Sequence, residues 1–538
     1  MAEEKHIIKK AIVEIHVPSA QDASDLQNQA MRFFKEKICP MIERIVEKHS
    51  RPGEIVRIDK LALDIKGFKP EEYSISRLQD LEEQIEKKIV ALIAENKDND
   101  FSGEIVTEVK RIPKETADEE LFIYLLRTGA LPWWAQTETA VSLVTIAEKV
   151  LSQPSDALKK ELRALVAIPA ARKRIIYQLP EKLTEKIILL VCSAPQNVLE
   201  YTAALTEVFE WYERKDPAPD LPKGYRQFIH EFVLRYPASA GSGKQLFMTG
   251  FLKERDELSF AAIIYRMSET VASDETVAKQ ELKQTATMLK QALADSNGYF
   301  SGKIAELFTE KDREVFFSDQ KQEEKSDHEP EHKENDQQKQ TLQNILKKKK
   351  DDPARIFPNA DEESDTMGNP PETGDYFVKN SGIIIVAPYL SALFKELELC
   401  DGKKFVSDEA RERAAYLLQY LATGSQEAEE HEMALNKILC GIDLQTPLML
   451  RFSITDKEKE ECAGLLQAVA ANWTALKGTS GEGMRDAFFM RDGILEQQSN
   501  GWNLKIERTT IDILLDKLPW GISILQMPWS TEMIFVTW

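Results

Sequence analysis

Residues 321–340 read KQEEKSDHEPEHKENDQQKQ, and this stretch decides how the chain is organised. It continues through LKKKKDD (346–352) to PNADEESDTMGNPPETGD (358–375), and aromatic and β-branched residues nearly vanish throughout. A segment so poor in apolar side chains cannot bury enough surface to offset the entropy of ordering it. Residues 320–372 therefore read as a disordered charged linker between globular parts. The full chain has 538 residues. At roughly 150 residues per domain, that length calls for three or four units.

Carboxy-terminal to the linker, residues 373–538 regain globular character. NSGIIIVAPYLSALFKEL (380–397) reads as a buried strand that passes through Pro388 into a helix. ARERAAYLLQYLATG is strongly amphipathic, and Gly424 is placed to end its helix. GWNLKIER, GISILQMPW and MIFVTW read as closing strands.

Amino-terminal to the linker, residues 116–319 read as mainly helical. Pro154, Pro169, Pro180 and Pro195 punctuate short amphipathic runs such as SDALKKELRALV, which sets Leu158, Leu162 and Leu165 on one face. Proline inside a helix costs roughly 3 kcal/mol, so each proline marks a helix boundary or first turn. A longer stripe carries Leu282, Ala286, Leu289 and Leu293. Residues 1–115 read as a small α/β unit. Val13, Ile15 and Val17 alternate as in a strand, and a helix bears Leu26, Ala30, Phe33, Phe34 and Ile38, with Pro40 set to kink or divide it. Leu61, Leu63 and Ile65 mark a second strand, residues 72–97 a helix, and FSGEIVTEVKRI (101–112) a third strand. The fold class is α+β multidomain.

Bulk properties exclude several functions. The formal charge is −20, and the one dense basic run, Lys347–Lys350, is followed at once by Asp351 and Asp352. Binding to nucleic acid rests on cationic side chains, so no nucleic-acid partner is expected. No stretch reaches the roughly 18 uncharged apolar residues of a membrane helix, and MAEEKHIIKK lacks a signal-peptide core. A cytoplasmic protein without direct membrane insertion is expected. The cysteines, Cys39, Cys192, Cys400, Cys440 and Cys462, are odd in number and have no CxxC spacing. They suit a reducing compartment and argue against a disulfide framework or structural zinc.

Three segments approach catalytic motifs and miss. ASAGSGKQ (238–245) has Ala238 and Gln245 where a phosphate-binding loop needs Gly and Ser or Thr around Lys244. HEMAL (431–435) has Leu435 where a zinc helix needs its second histidine, so His431 reads as a solvated helix residue. GTSGEG (478–483) surrounds Ser480 with glycines, but Glu482 breaks the nucleophile-elbow spacing. No catalytic residue, metal ligand or cofactor site is expected, and the chain does not read as an enzyme. Three apolar-Pro-Trp turns end at Trp133, Trp520 and Trp529. Each is either a proline-fixed corner that buries a ring or an exposed anchor for another subunit.

Longer phrases carry a resemblance. HIIKKAIVEIHVPSAQDASDLQNQAMRFF (6–34), RIDKLALDI (57–65) and LLRTGALPWWA (125–135) resemble the contractile injection system tape measure proteins. So, more strongly, do NSGIIIVAPYLSALF (380–394), RAAYLLQYLATG (413–424), EHEMALNKILCGI (430–442), NWTALKGTSGEGMRDAFFMRDGIL (472–495) and GWNLKIERTTIDILLDKLPWGISILQMPW (501–529). The resemblance implies a structural and assembly component of a particle like a headless contractile phage tail. It implies occupancy of the inner tube, control of tube and sheath length, and inner-tube, baseplate, spike or cap proteins as partners. Assembly would be cytoplasmic, with the chain then inside the mature or released particle, in one or several copies. One continuous helix of this length would span about 800 Å, but prolines and globular ends oppose a single rod. That leaves an extended chain, several copies in concert, or an adaptor or chaperone at one end of the tube.

Overall fold

The computed structural model describes residues 8, 11–14, 23–51, 54–58, 61–63, 75–95, 109–135, 142–215, 224–254, 258–274, 276–277, 279–295, 375–401, 403–449, 453–476 and 478–538. The segment read as a linker, 320–372, lies outside the described residues. The chain divides into two compact units. The first gathers both ends of the chain (Met1–Val150, Thr373–Thr446 and Leu450–Trp538), and the second holds the middle (Leu151–Glu372 with Pro447–Met449).

The amino-terminal part of the first unit opens with α1 (Ala23–Phe33), one π-helical turn (Phe34–Ile38) and α2 (Cys39–His49). Pro40 has no N–H to give to the Glu36 carbonyl, and the turn ahead of it widens to the π spacing, with Pro40 in the first turn of α2. Strand β1 (Glu54–Ile58) and helix α3 (Ile75–Glu95) follow, then β2 (Val109–Pro113), which pairs antiparallel with β1. Ile38, Met41 and Ile45 interlock with Leu81, Ile85 and Ile89 of α3 in a buried cluster. The first set recurs at three and four residues and the second at four, spacings that keep side chains on one helical face.

Two strand expectations are corrected here. The strand lies at Glu54–Ile58, residues 61–63 of the expected alternation have no regular structure, and Ile65 lies outside the described residues. Leu61 and Leu63 instead pack against the helical cluster, which uses their apolar surface without a ladder. Residues 11–14 have no regular structure, and Ile12 is 72% exposed. Residues 15–17 of the expected first strand lie outside the described residues, as do 101–108 of the third.

Helix α4 (Lys114–Thr128) leads to the two-residue strand β3 (Leu131–Pro132), a 3₁₀ turn (Trp133–Ala135) and α5 (Leu143–Val150). The second unit then contributes α6 (Asp156–Leu165), α7 (Pro169–Gln178), α8 (Glu181–Val191), α9 (Pro195–Lys215), α10 (Tyr225–Arg235), α11 (Lys244–Glu254), α12 (Leu258–Ser273) and α13 (Gln280–Asp295). The prolines stand at the boundaries. Pro169 and Pro195 open their helices, Pro180 directly precedes α8, and Pro154 precedes the Ser155 cap, whose hydroxyl accepts from the Leu158 N–H. Leu158, Leu162 and Leu165 are buried, and so are Leu282, Ala286, Leu289 and Leu293. Phe209, Phe232, Phe247 and Phe251 form an aromatic centre in which edge-on contacts predominate. Among the described residues no helix is long and apolar enough to cross a membrane.

The first unit resumes with β4 (Asp375–Val378), a 3₁₀ helix (Ser381–Tyr389), α14 (Leu390–Glu396), α15 (Asp408–Thr423), a 3₁₀ turn (Glu430–Met433), α16 (Ala434–Leu439), α17 (Asp456–Asn472) and α18 (Gly481–Phe488). It closes with β5 (Gly493–Gln498), β6 (Gly501–Ile506), a 3₁₀ helix (Thr510–Lys517), β7 (Ile524–Gln526) and β8 (Met533–Thr537). One sheet runs in the order β3-β4-β5-β6-β8-β7, antiparallel except for the parallel β6–β8 pair.

The run IIIVAP is 3₁₀-helical and not the expected strand. An unbroken apolar run carries no period, so burial alone cannot distinguish strand from helix. Ser381–Ala387 are all buried, and the Gly382 N–H donates to the Phe489 carbonyl at 3.1 Å. A Cβ at Gly382 would fall on the Phe488 carbonyl oxygen. Gly424 ends α15 as expected, in the left-handed region at φ 74°.

Gly382→Ala destabilises the first unit by about 1–3 kcal/mol through backbone overpacking. Gly464→Ala, exposed in α17 with open space around it, adds about 0.5–1 kcal/mol. Urea midpoints of the two variants shift in opposite directions. In the second unit, burial depresses the His230 imidazole below its ordinary 6.5, against the raising effect of Glu181. The folded chain then refuses a proton that the unfolded chain accepts, so this contribution is complete above about pH 6.5 and declines as pH falls. Calorimetric scans from pH 8 to pH 5 show a shallower loss for His230→Gln than for the parent chain.

Candidate functional site

Structure places the three near-motifs in ordinary packing roles. The Gly-Ser loop before Lys244 joins helix α10 to helix α11, so a helix and not a strand leads into it. Its Gly241 sits against Ala194, where a Cβ would collide with backbone, and its carbonyl accepts from Asn197 Nδ2 at 3.3 Å. Ser480 caps α18, accepting from the Gly483 N–H at 3.0 Å. It lines an open groove with Gln467, Ala470, Ala471, Gly478, Thr479 and Gly481, none of which is an acid or a base.

His431 is corrected from solvated to buried, at 4% exposure. Its helical turn faces inward, with Nδ1 3.7 Å from Glu429 Oε2. The same carboxylate oxygen accepts from the Leu143 backbone N–H at 2.7 Å.

The carboxy-terminal part of the first unit instead assembles a buried polar framework. Asn380 Nδ2 donates to Gln419 Oε1 at 2.9 Å and to Asn436 Oδ1 at 2.8 Å. Asn436 Nδ2 donates to Gln419 Oε1 and to the Ala415 carbonyl. Beside it, Lys437 is fully buried, paired with Glu430, and donates to the carbonyls of Leu444 at 2.9 Å and Thr446 at 2.7 Å. A buried ammonium is stable only when charge and hydrogen bonds are both met, as here. Arg413 grips Glu458 through two hydrogen bonds, and Glu458 also closes a capping box with Thr455. Burial alone raises the Glu458 carboxyl, but the Arg413 and Thr455 hydrogen bonds outweigh it and hold the group below its ordinary value.

The tryptophans fasten the same body. Trp520 Nε1 donates to the Ile385 carbonyl at 3.0 Å, and Trp529 Nε1 to the Leu439 carbonyl at 2.8 Å. Trp473 reaches the Leu514 carbonyl, Trp502 reaches Glu532, and Trp538 reaches Asp512, which also pairs with Arg491. Trp520 and Trp529 are half-buried, and their N–H bonds tie loops to the 3₁₀ run and to α16. Trp134 takes the Arg57 guanidinium over its ring at 4.6 Å. Sequence reading missed the amide and ion-pair framework. Its one signal was Asn436-Lys437 inside the apolar run ALNKIL.

Burial pushes the Cys462 thiol of the first unit up to about 12 and raises Cys440 further, and in the second unit it pushes Cys192 up to about 12. Among the described residues no group of three or more His, Cys, Asp or Glu is placed to hold a metal ion.

The family model for the contractile injection system tape measure protein matches residues 5–538, and the chain belongs to that family. Membership implies a structural role alongside other components of a contractile injection particle. No curated protein and no solved structure matches the chain.

Lys437→Met removes the ammonium that faces the buried Glu430 carboxylate, and is expected to cost about 3–5 kcal/mol. Adding Glu430→Leu restores a large part of that loss. Urea unfolding of the single and double variants checks it; a double variant no better than the single contradicts the pairing.

Proposed function

We propose that this chain occupies the inner tube of a contractile injection particle during assembly and sets the length of tube and sheath. The family match across residues 5–538 carries this reading. Head-to-tail subunit contacts generate open filaments with no intrinsic end, so a growing tube needs a separate part that supplies the stop. The helical unit, α6–α13, is the part suited to bear length.

Its helices are short. Among the described residues the longest helices, α3 and α9, have 21 residues each, about 32 Å. Length therefore comes from a chain drawn out in the lumen or from several copies in series. Drawing out a folded unit costs on the order of 5–15 kcal/mol, a magnitude that contacts with many tube subunits can offset.

A second reading is an adaptor or chaperone for tube, cap, baseplate or payload proteins. The closed polar framework of the first unit favours it, because such a body is built to stay folded while it docks.

Electron microscopy of particles separates the readings. Deleting the gene yields particles of irregular length, or none. Helical inserts in the exposed turn at Ser152 and Gln153 lengthen particles in proportion under the length-setting role. Constant length with changed yield or loading supports the adaptor, and uniform normal particles without the gene contradict both.

A further inference from the structure

Two stretches far apart in sequence build the first unit, and their junction is small and specific. In the β3–β4 pair Leu131 faces Phe377 and Pro132 faces Tyr376, antiparallel, with all four side chains buried. An antiparallel chain leaves one strand at the end where it enters the other. The polypeptide therefore departs after Pro132 and returns at Asp375 at the same end of two neighbouring strands. The Leu143–Glu429 hydrogen bond ties the departing chain a second time.

The helical unit is thus an insertion whose two ends are anchored in one body. We propose that these ties stay closed while the protein works, so that the middle of the chain acts as a closed loop and not as a line pulled out from end to end. The proposal rests on the length-setting reading. Residues 133–374 number about 240; at any rise per residue a chain doubled back reaches half of what a single line reaches, about 180 Å against about 360 Å at the helical rise. Each residue added to the middle then contributes about half the reach that a line would give.

A cross-link in the full-length chain tests the tie. Facing residues of an antiparallel pair lie about 4.5–5.5 Å apart at Cα, within disulfide range. Leu131→Cys combined with Phe377→Cys is oxidised and supplied for particle assembly, with the same protein in reduced form as the control for folding. Equal particle yield and length in the two forms is the expected result. A twofold or greater loss of yield, or shorter particles, on oxidation alone overturns the proposal.

A second measurement does not depend on length control. A protease site is placed at Ser152–Gln153 of the full-length chain and cut. The fragments 1–152 and 153–538 are expected to co-elute in gel filtration, and Leu131→Asp to release them from each other. Fragments that separate without that substitution overturn the tie itself. Co-eluting fragments alongside inserts that leave particle length constant place the failure in the length-setting reading instead.

Discussion

The pairing of Leu131–Pro132 with Tyr376–Phe377 is the contact on which the first unit depends. It places a two-residue strand from the first third of the chain at the edge of a sheet otherwise made by the last third. Closing so long a loop costs entropy, but the cost grows only with the logarithm of loop length. Burial on both sides of the junction offsets it. Phe122, Leu125 and Leu126 of α4 are buried ahead of β3, and Tyr376, Phe377 and Val378 are buried in β4. Tyr124 lies in the same place, where burial, helped by Tyr376 and Asp375, raises its hydroxyl.

Around that junction the unit solves a second problem, the placement of polar groups inside an apolar body. The amides of Asn380, Gln419 and Asn436 bond to one another, Lys437 meets Glu430 and two carbonyls, and Arg413 meets Glu458. Such groups are costly to leave unmatched, and each match accepts one geometry. The framework therefore fixes how α15, α16, α17 and the 3₁₀ run sit on the sheet. Indole N–H groups continue the same logic at the loops.

Much of the helical unit was legible because its signals are local. The Leu282, Ala286, Leu289 and Leu293 stripe and the boundary prolines act within a turn or two of themselves. Gly424 was legible for the same reason. The run IIIVAP was not, since an apolar segment without period fits a strand or a 3₁₀ helix equally, and the choice was made by the Phe488–Phe489 backbone about a hundred residues away. The alternation at Leu61 and Leu63 pointed to a sheet, yet a helical cluster took up those side chains. Nothing near Leu131 announces a partner at Phe377, because strand pairing across such a distance leaves no local pattern. The apolar-Pro-Trp phrases were visible, but their inward hydrogen bonds depended on carbonyls at Ile385 and Leu439, remote in sequence. The amide and ion-pair framework of the interior left no local signal beyond Asn436-Lys437.

The claim that both ends of the chain form one body is tested most directly by native-state hydrogen exchange on the full-length protein. Amides of α4, β4, β5 and α15 are expected to open together, with one free energy and one denaturant dependence, as a single cooperative unit does. If α4 opens separately, at a lower free energy than β4 and β5, the amino-terminal segment is only an appendage and the account is contradicted.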